Sequence, residues 1–251
     1  IWVCEEDKEI SDKSVEFTTK ITLDASDSWA GCDPDDSDCY AEEYIVEWNW
    51  DLDTSYDSDN DGDLENDIDA TGEVIEWENL PSTGEAISGG AWIVSVTVVD
   101  NNGLTSSSKM QIYVNYRGVW SDFEIDRRLG NDPIIMSWEY PVSYNTETED
   151  RIRYLRLKLI YPKEDDGAGG ITVDSENILD IYVYNKTDDE VANTSAIGAD
   201  NRDAGDCDSD DRCVWLVLSG STIRGKLPGD WTADIQNEKT HNTEVKHFII
   251  E

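Results

Sequence analysis

Basic residues are scarce in this sequence. Its 251 residues include 19 Lys and Arg against 57 Asp and Glu, which leaves a formal net charge of −38. Proteins that bind nucleic acid or anionic lipid do so through clustered Lys and Arg that displace counterions, and the sequence has no such cluster. The composition therefore excludes nucleic acid as a partner and leaves cations and neutral surfaces.

Long apolar segments are also missing. The longest nearly uninterrupted apolar run, Ala91 to Val99, is nine residues long, whereas a membrane-spanning helix needs about 20. We therefore expect no membrane-spanning segment in these residues. The sequence begins at Ile1 without a Met, and we expect that a signal peptide or an anchoring segment preceded it.

Histidine is limited to His241 and His247. Catalysis by Ser-His-Asp or Cys-His groups needs a histidine held beside its nucleophile, and the sequence contains neither a Gly-x-Ser-x-Gly motif nor a glycine-rich phosphate loop. A glycosidase-like carboxylate pair stays open, because 57 acidic residues will place some pair at any chosen separation. The sequence favours a protein that is not an enzyme.

Cysteines are few and unevenly spaced. The five are Cys4, the pair Cys32 and Cys39, and the pair Cys207 and Cys213. Each pair encloses a short acidic loop, and zinc would need Cys-x-x-Cys spacing or nearby histidine, so we predict two local disulfides. Disulfides indicate an extracellular or cell-surface location. Asn185 and Asn193 begin N-glycosylation sequons, which agrees with that location.

Alternation of apolar and polar residues with a period of two dominates the chain, so the sequence predicts an all-β fold. The strand candidates are Val15–Leu23, Tyr44–Leu52, Ala91–Val99, Lys109–Tyr116, Pro133–Tyr140, Ile152–Tyr161, Ile178–Asn185, Cys213–Leu218, Trp231–Gln236 and Val245–Ile250. Asn101-Asn102-Gly103 predicts a tight hairpin turn. The amino-acid composition changes near Tyr116, after which basic residues are more frequent. We predict two tandem β-sandwiches, at residues 13–116 and 117–251, after an N-terminal segment or linker at residues 1–12.

Three segments in the first half carry a family resemblance. Residues 23–28 (LDASDS), 47–53 (EWNWDLD) and 92–103 (WIVSVTVVDNNG) resemble successive motifs of the polycystic-kidney-disease (PKD) domain. The resemblance covers residues 13–116 and implies an immunoglobulin-like sandwich with Trp50 in its core and Asp51 in a turn or hydrogen bond. The departure from the family is an acidic insertion at residues 53–71.

The insertion contains a candidate calcium loop at residues 57–69 (DSDNDGDLENDID). Alternating carboxylates followed by glycine let a loop fold around Ca²⁺. The candidate ligands are Asp57, Asp59, Asp61, Asp63, Asp67 and Asp69. Ile68 stands where an EF-hand has its bidentate Glu, and the segment resembles the loops of thrombospondin type 3 repeats and dockerins more closely. The alternative is a solvated acidic loop on the surface of a protein from a high-salt habitat.

The second half resembles the bacterial pre-peptidase C-terminal domain. The resemblance rests on residues 178–185 (ILDIYVYN), 190–193 (EVAN) and 227–235 (LPGDWTADI). It implies a second sandwich, of jelly-roll or pre-peptidase-C-terminal type, that serves as an accessory module of secreted proteins. It also makes Asp180 a calcium-ligand candidate; the alternative is an outward-facing strand residue.

Ten Trp raise the question of sugar binding through exposed aromatic rings. Strand packing explains most of them, which leaves Trp29, Trp77 and Trp120 as candidates for exposed contacts.

These features together predict a secreted or cell-surface structural or adhesive protein, stabilised by calcium, from an archaeon or bacterium living in salt. We expect it to be a subunit of an extracellular filament or surface layer that contacts other copies of itself or cell-surface proteins. An edge strand such as Val15–Leu23 or Val245–Ile250 would complete a neighbour's sheet. The alternative is an accessory carbohydrate- or protein-binding module of a secreted hydrolase, with glycans as partners.

Overall fold

The computed structural model describes residues 1–13, 19–31, 43–87, 89–142, 152–164, 176–203 and 207–251. The fold is all-β, as predicted. The strands within the described residues are β1 (Trp2–Lys8), β2 (Ile21–Asp24), β3 (Ile45–Asp51), β4 (Ala70–Thr71), β5 (Val74–Trp77), β6 (Gly90–Asp100), β7 (Thr105–Ile125), β8 (Ile134–Val142), β9 (Tyr154–Pro162), β10 (Leu179–Tyr184), β11 (Glu190–Asn193), β12 (Asp211–Ser219), β13 (Gly229–Asn237) and β14 (Thr243–Ile250). A 3-10 helix, Ala199–Asn201, and a short helix α1, Gly220–Arg224, complete the regular elements described.

The chain divides into two compact units. The first lies mainly within residues 17–114, and the second within residues 2–16, 115–144 and 151–251. Strand β7 contributes its first half to one unit and its second half to the other. The assignment of these units to two named sandwich families stays a prediction.

The first unit contains a sheet with strand order β4-β3-β6-β7 and a separate antiparallel pair of β2 and β5. Alternate side chains of β2 and β5 are buried, because each strand has one face toward the core. Trp50 is 2% exposed, which confirms its predicted core position, and Trp77 packs edge-to-face on Trp92 with 6.1 Å between ring centroids. The predicted turn after β6 is confirmed: Gly103 has φ 79° and the backbone N–H of Asp100 donates to Leu104 O.

The second unit contains two sheets. One has the strand order β12-β9-β14-β7 with β1 parallel to β7, and the other has the order β11-β10-β13-β8. Residues 2–8, which the sequence suggested as part of an N-terminal segment or linker, thus form a strand. An aromatic cluster lies in the core, where the Trp138 and Phe248 ring centroids are 4.6 Å apart and Trp120 is 6.0 Å from Trp138.

The structure corrects two expectations about exposed surface. Trp77 and Trp120 are 1% and 0% exposed, so they are core residues and not contact sites, because each ring packs against a second aromatic ring. The terminal strand Val245–Ile250 also offers no edge for a neighbouring chain, because β14 is paired with β7 on one side and with β9 on the other. Of the candidate Val15–Leu23, residues 15–18 lie outside the described residues, and β2 is paired with β5.

Candidate metal centre

The loop between β3 and β4 is folded by its own carboxylates. The Oδ1 atoms of Asp59, Asp61 and Asp63 each accept a hydrogen bond from the backbone N–H two residues ahead, at 3.0, 2.7 and 3.1 Å. Such turns follow from short acidic side chains, which mimic a backbone carbonyl. The alternating Asp residues therefore set the local path of the chain.

Three of the predicted ligands converge. The carboxylate oxygens of Asp57, Asp59 and Asp61 lie within 4.8 Å of one another, and the Asp59 and Asp61 side chains are exposed. Gly62 has φ 94°, a conformation that favours glycine. Its N–H donates to Asp57 Oδ2 at 2.9 Å, which turns the chain back over the three carboxylates.

The other three predicted ligands lie elsewhere. Asp63 is exposed and is not part of the group of three. Asp69 Oδ2 accepts a hydrogen bond from the backbone N–H of Leu52 at 2.8 Å. Asp67 is 3% exposed, and its Oδ1 atom accepts hydrogen bonds from Ser58 Oγ and Asp59 N, both at 3.0 Å. Asp67 thus ties the base of the loop to the group of three.

Two further carboxylates lie beside this loop, and the ligand prediction did not include them. Asp51 and Asp53 are 2% and 4% exposed. The backbone N–H of Asp53 donates to Asp51 Oδ1 at 3.1 Å, while Asp51 Oδ2 has no hydrogen-bond partner among the described residues. Asp67 Oδ2 is also buried without a partner there. The signal for these residues was the pair of Asp-x-Asp motifs at residues 51–53 and 67–69.

Burial is the largest influence on the Asp51 carboxyl, which belongs with Asp53, Asp67 and Asp69 to what we call the inner group. Burial, together with the charges of Asp69, Asp67 and Asp53, raises the pKa of Asp51 to about 7 despite the hydrogen bond from Asp53 N. No ion pair to these carboxylates is formed within the described part of the chain. Lys20 and Lys109 are the only two basic residues between positions 17 and 114 in the sequence. Their ion pairs are with Glu76 and Glu78 for Lys20, and with Glu65 for Lys109.

The cysteine predictions have separate outcomes. Cys207 and Cys213 form the predicted disulfide, with 5.8 Å between their Cα atoms. Cys32 and Cys39 lie outside the described residues. Cys4 is exposed on β1 as a free thiol.

The two sequon asparagines lie in different surroundings. Asn185 is 4% exposed, and its Oδ1 atom accepts hydrogen bonds from Thr187 N, Thr187 Oγ1 and Asp189 N. A glycan on Asn185 therefore requires this turn to be open. Asn193 is half-buried, and its amide donates to Glu190 Oε1.

Asp180, the calcium candidate of the second half, has a cationic partner. It is 9% exposed, and its Oδ1 atom accepts hydrogen bonds from Arg202 Nη2 at 2.6 Å and Thr194 Oγ1 at 3.0 Å. The alternative of an outward-facing residue is wrong, because the side chain is buried against Arg202. The ion pair accounts for this carboxylate without a metal.

Comparisons with known proteins add little to this geometry. No family model matches the sequence, and no curated protein is significantly similar to it. Solved structures that it resembles include a carbohydrate-binding module of the beta-sandwich superfamily (12% identity, 95% of this chain and 92% of that chain, TM-score 0.30). Others are the CBM51-2 and INT domains of Clostridium perfringens ZmpB in complex with GlcNAc (14%, 78% and 46%, TM-score 0.25) and the infectious bursal disease virus VP2 subviral particle (12%, 93% and 56%, TM-score 0.30). We base no functional argument on similarity this weak. Within the described residues, no helix is long and apolar enough to cross a membrane.

Proposed function

We propose that this protein is an extracellular structural or adhesive β-sandwich protein whose acidic loop binds Ca²⁺. The observation that carries the proposal is the approach of the Asp57, Asp59 and Asp61 carboxylate oxygens to within 4.8 Å of one another. Ca²⁺ takes six to eight oxygen ligands at about 2.3–2.6 Å, in flexible geometry. The three carboxylates supply three of these ligands with one oxygen each, and water supplies the rest.

Calcium would act on this loop mechanically. Without a cation, the three carboxylates repel one another, and coordination replaces that repulsion with attraction. An ion that binds only the folded loop stabilises it by mass action. Because the loop joins β3 to β4, its stiffening would fix one end of the first unit's sheet.

Two further observations support the location. The Cys207–Cys213 disulfide is typical of proteins that fold in an oxidising compartment. A net charge of −38 keeps the protein soluble outside the cell, in a high-salt habitat above all.

The test is calcium titration calorimetry, with thermal melts in Ca²⁺ and in chelator. The wild type should bind Ca²⁺ saturably with a raised Tm, and the Asp59→Ala/Asp61→Ala variant should lose the binding event that belongs to the Asp57–Asp59–Asp61 group, together with its share of the Tm increase. Asp27→Asn, an exposed acidic change in the same unit, is the control and should behave as wild type. If NaCl alone stabilised all three proteins equally, the loop would be a solvated acidic surface of a protein from a high-salt habitat and not a Ca²⁺ site.

Assembly into a filament or surface layer is the specific form of the proposal. Within the described strands, residues 105–111 of β7 pair with β6 alone and so leave one free edge in the first unit. This edge would accept a strand from a second copy. Light scattering at high protein and Ca²⁺ concentrations should show oligomers. A monomer under these conditions would contradict assembly and leave Ca²⁺ binding intact.

Glycan binding is a second candidate function, and one observation favours it. Trp29 is 53% exposed, as expected for an aromatic platform that stacks on a sugar ring. Binding on a glycan array that is lost in Trp29→Ala and is unaffected by chelator would support an accessory carbohydrate-binding module over assembly.

A further inference from the structure

We propose that Asp51, Asp53 and Asp67 form a second, inner divalent-cation site beneath the loop, with Asp69 beside it. The proposal depends on the proposed Ca²⁺ binding for the identity of the ion, but it does not depend on the Asp57–Asp59–Asp61 group. The two sites share one residue, because Asp67 also holds the base of the loop.

Burial without partners is the first argument. Asp51 and Asp67 are 2% and 3% exposed, and the Oδ2 atom of each is buried with no hydrogen-bond partner among the described residues. Carboxylates are almost never buried in this way unless they are paired or coordinate a metal. Two such oxygens, one at the end of β3 and one in the loop that follows it, point to a ligand that bears positive charge.

The arrangement of the bonded oxygens is the second argument. Asp51 and Asp67 each use Oδ1 to accept backbone hydrogen bonds, from Asp53 N and from Asp59 N, and leave Oδ2 for another partner. Asp69 is anchored on the backbone N–H of Leu52, between Asp51 and Asp53. The segments 51–53 and 67–69 therefore place four carboxylates near one another, close enough for the charges of Asp53, Asp67 and Asp69 to act on Asp51. No three of them converge as tightly as Asp57, Asp59 and Asp61 do.

The absence of a protein cation is the third argument. Within the described residues, the ion pairs of Lys20 and Lys109 are all with glutamates outside the inner group. The atoms that the inner group offers to a metal are all carboxylate oxygens. Oxygen ligands suit a hard cation such as Ca²⁺, whereas zinc prefers His and Cys.

The shared residue couples the two sites. When an ion holds Asp67 Oδ2, the Oδ1 atom is fixed where it accepts the hydrogen bond from Asp59 N, and Asp59 belongs to the outer group. Occupation of the inner site would therefore pre-organise the outer one. We expect the inner ion to bind first and more tightly.

Calorimetry with CaCl₂ on the full chain, stripped with EDTA, tests the inner site apart from the outer one. The wild type should bind two Ca²⁺ per chain, and Asp59→Ala/Asp61→Ala should keep one. Asp51→Asn/Asp53→Asn should weaken the tighter event by about 100-fold or more, because two carboxylate ligands are lost. Asp27→Asn is the matched control. Melts in EDTA show whether each variant folds.

The possible results separate the two proposals. Retention of one saturable site by Asp59→Ala/Asp61→Ala supports the inner site even if Asp51→Asn/Asp53→Asn does not fold. Loss of all binding in Asp59→Ala/Asp61→Ala, with wild-type binding in Asp51→Asn/Asp53→Asn, overturns the inner site and keeps the outer one. Loss of all binding in Asp51→Asn/Asp53→Asn, with full wild-type binding in Asp59→Ala/Asp61→Ala, supports the inner site and overturns the outer one. Absence of saturable binding in the wild type overturns both.

Discussion

Buried carboxylates in the second unit lie beside cationic side chains, whereas those in the first unit do not. In the second unit, Asp180 is paired with Arg202 at 2.6 Å and Asp211 with Lys246 at 2.7 Å. Asp234, whose pKa is raised by burial, is an exception there. Asp211 and Asp234 also leave one buried oxygen without a hydrogen-bond partner among the described residues, as Asp51 and Asp67 of the first unit do. The difference is that Asp51 and Asp67 form no ion pair within those residues, whereas Asp180 and Asp211 do.

The distribution of charge along the sequence explains this difference. Of the 19 Lys and Arg, only Lys20 and Lys109 fall between residues 17 and 114, a stretch that holds 23 Asp and Glu. A buried charge needs a counter-charge, since its desolvation is not otherwise offset. Asp180 and Asp211 of the second unit have their counter-charges in the chain, whereas under the proposed cation binding the first unit would take its counter-charges from solution. A dependence on metal ions is therefore expected of the first unit alone.

Removal of the counter-charge in the second unit should have the largest effect. Arg202 is 2% exposed and also donates hydrogen bonds to the backbone oxygens of Leu179 and Ile197. Arg202→Met leaves Asp180 buried and unpaired, so we expect a loss of about 3–5 kcal/mol in the free energy of unfolding. Urea titration in Ca²⁺ and in EDTA should give the same loss.

The exposed Arg156→Met change is the control for Arg202→Met, and it should leave the urea midpoint near the wild-type value. A loss below about 1 kcal/mol for Arg202→Met would mean that Asp180 finds another partner or takes up a proton, and the contrast between the units would fail.

The pH dependence of the metal-free protein should show the next largest effect. Burial raises the pKa of Asp51 to about 7 in the folded state, whereas about 3.9 is usual in an unfolded chain. The folded state therefore binds this proton more tightly, and its stability falls as pH rises between these two values. Each pKa unit corresponds to about 1.4 kcal/mol, so the wild type should lose about 2–3 kcal/mol more than Asp51→Asn between pH 5 and pH 8.

Urea titrations in EDTA at both pH values measure this difference. The other carboxylates beside Asp51, namely Asp53, Asp67 and Asp69, are present in both proteins and largely cancel in the comparison. Parallel pH profiles for wild type and Asp51→Asn would show that the Asp51 carboxylate is not held in a desolvated environment.

The sequence predicted the fold class and several of the strands well, because period-two alternation is a local signal. The longest strand, β7 (Thr105–Ile125), was predicted only as Lys109–Tyr116 and continues through the predicted boundary at residues 116 and 117. Strands β3, β6 and β13 lie within one or two residues of their predicted bounds. The missed strand β1 has the sequence WVCEEDK, and its pairing with β7 joins residues more than 100 positions apart. Trp77 was misjudged for a similar reason, since its burial depends on packing against Trp92.

The candidate metal site also has one part that the sequence predicted and one part that it did not. The approach of Asp57, Asp59 and Asp61 follows from their spacing around Gly62, which the sequence shows directly. The burial of Asp51 depends on contacts across the β3–β4 pairing, where Asp69 reaches Leu52 from 17 residues away. The Asp-x-Asp motifs at residues 51–53 and 67–69 mark these acids in the sequence, but no local pattern shows that the two segments meet.

Calcium itself should act on one unit and not on the other. At a free Ca²⁺ concentration ten times Kd, binding adds about 1.4 kcal/mol of stability to the folded loop. Amide hydrogen exchange should slow at Leu52 and Asp59, whose N–H groups donate to Asp69 and Asp67. Ile181 in the second unit, whose N–H donates to Thr194 Oγ1, is the matched control and should not change. Equal exchange rates with and without Ca²⁺ at all three amides would contradict a cation requirement of the first unit.

The smallest effect is expected at the second ion pair of the second unit. Asp211 is 3% exposed, but the Lys246 side chain is 44% exposed, so water already screens this pair. Lys246→Met should therefore lower the free energy of unfolding by about 1 kcal/mol or less, well below the effect of Arg202→Met, as measured in the same urea titration. A loss as large as that of Arg202→Met would show that Asp211 relies on Lys246 as fully as Asp180 relies on Arg202. Both acids are buried, and the two pairs differ in the exposure of the cation. Such a result would therefore show that the exposure of the cation does not set the strength of these pairs.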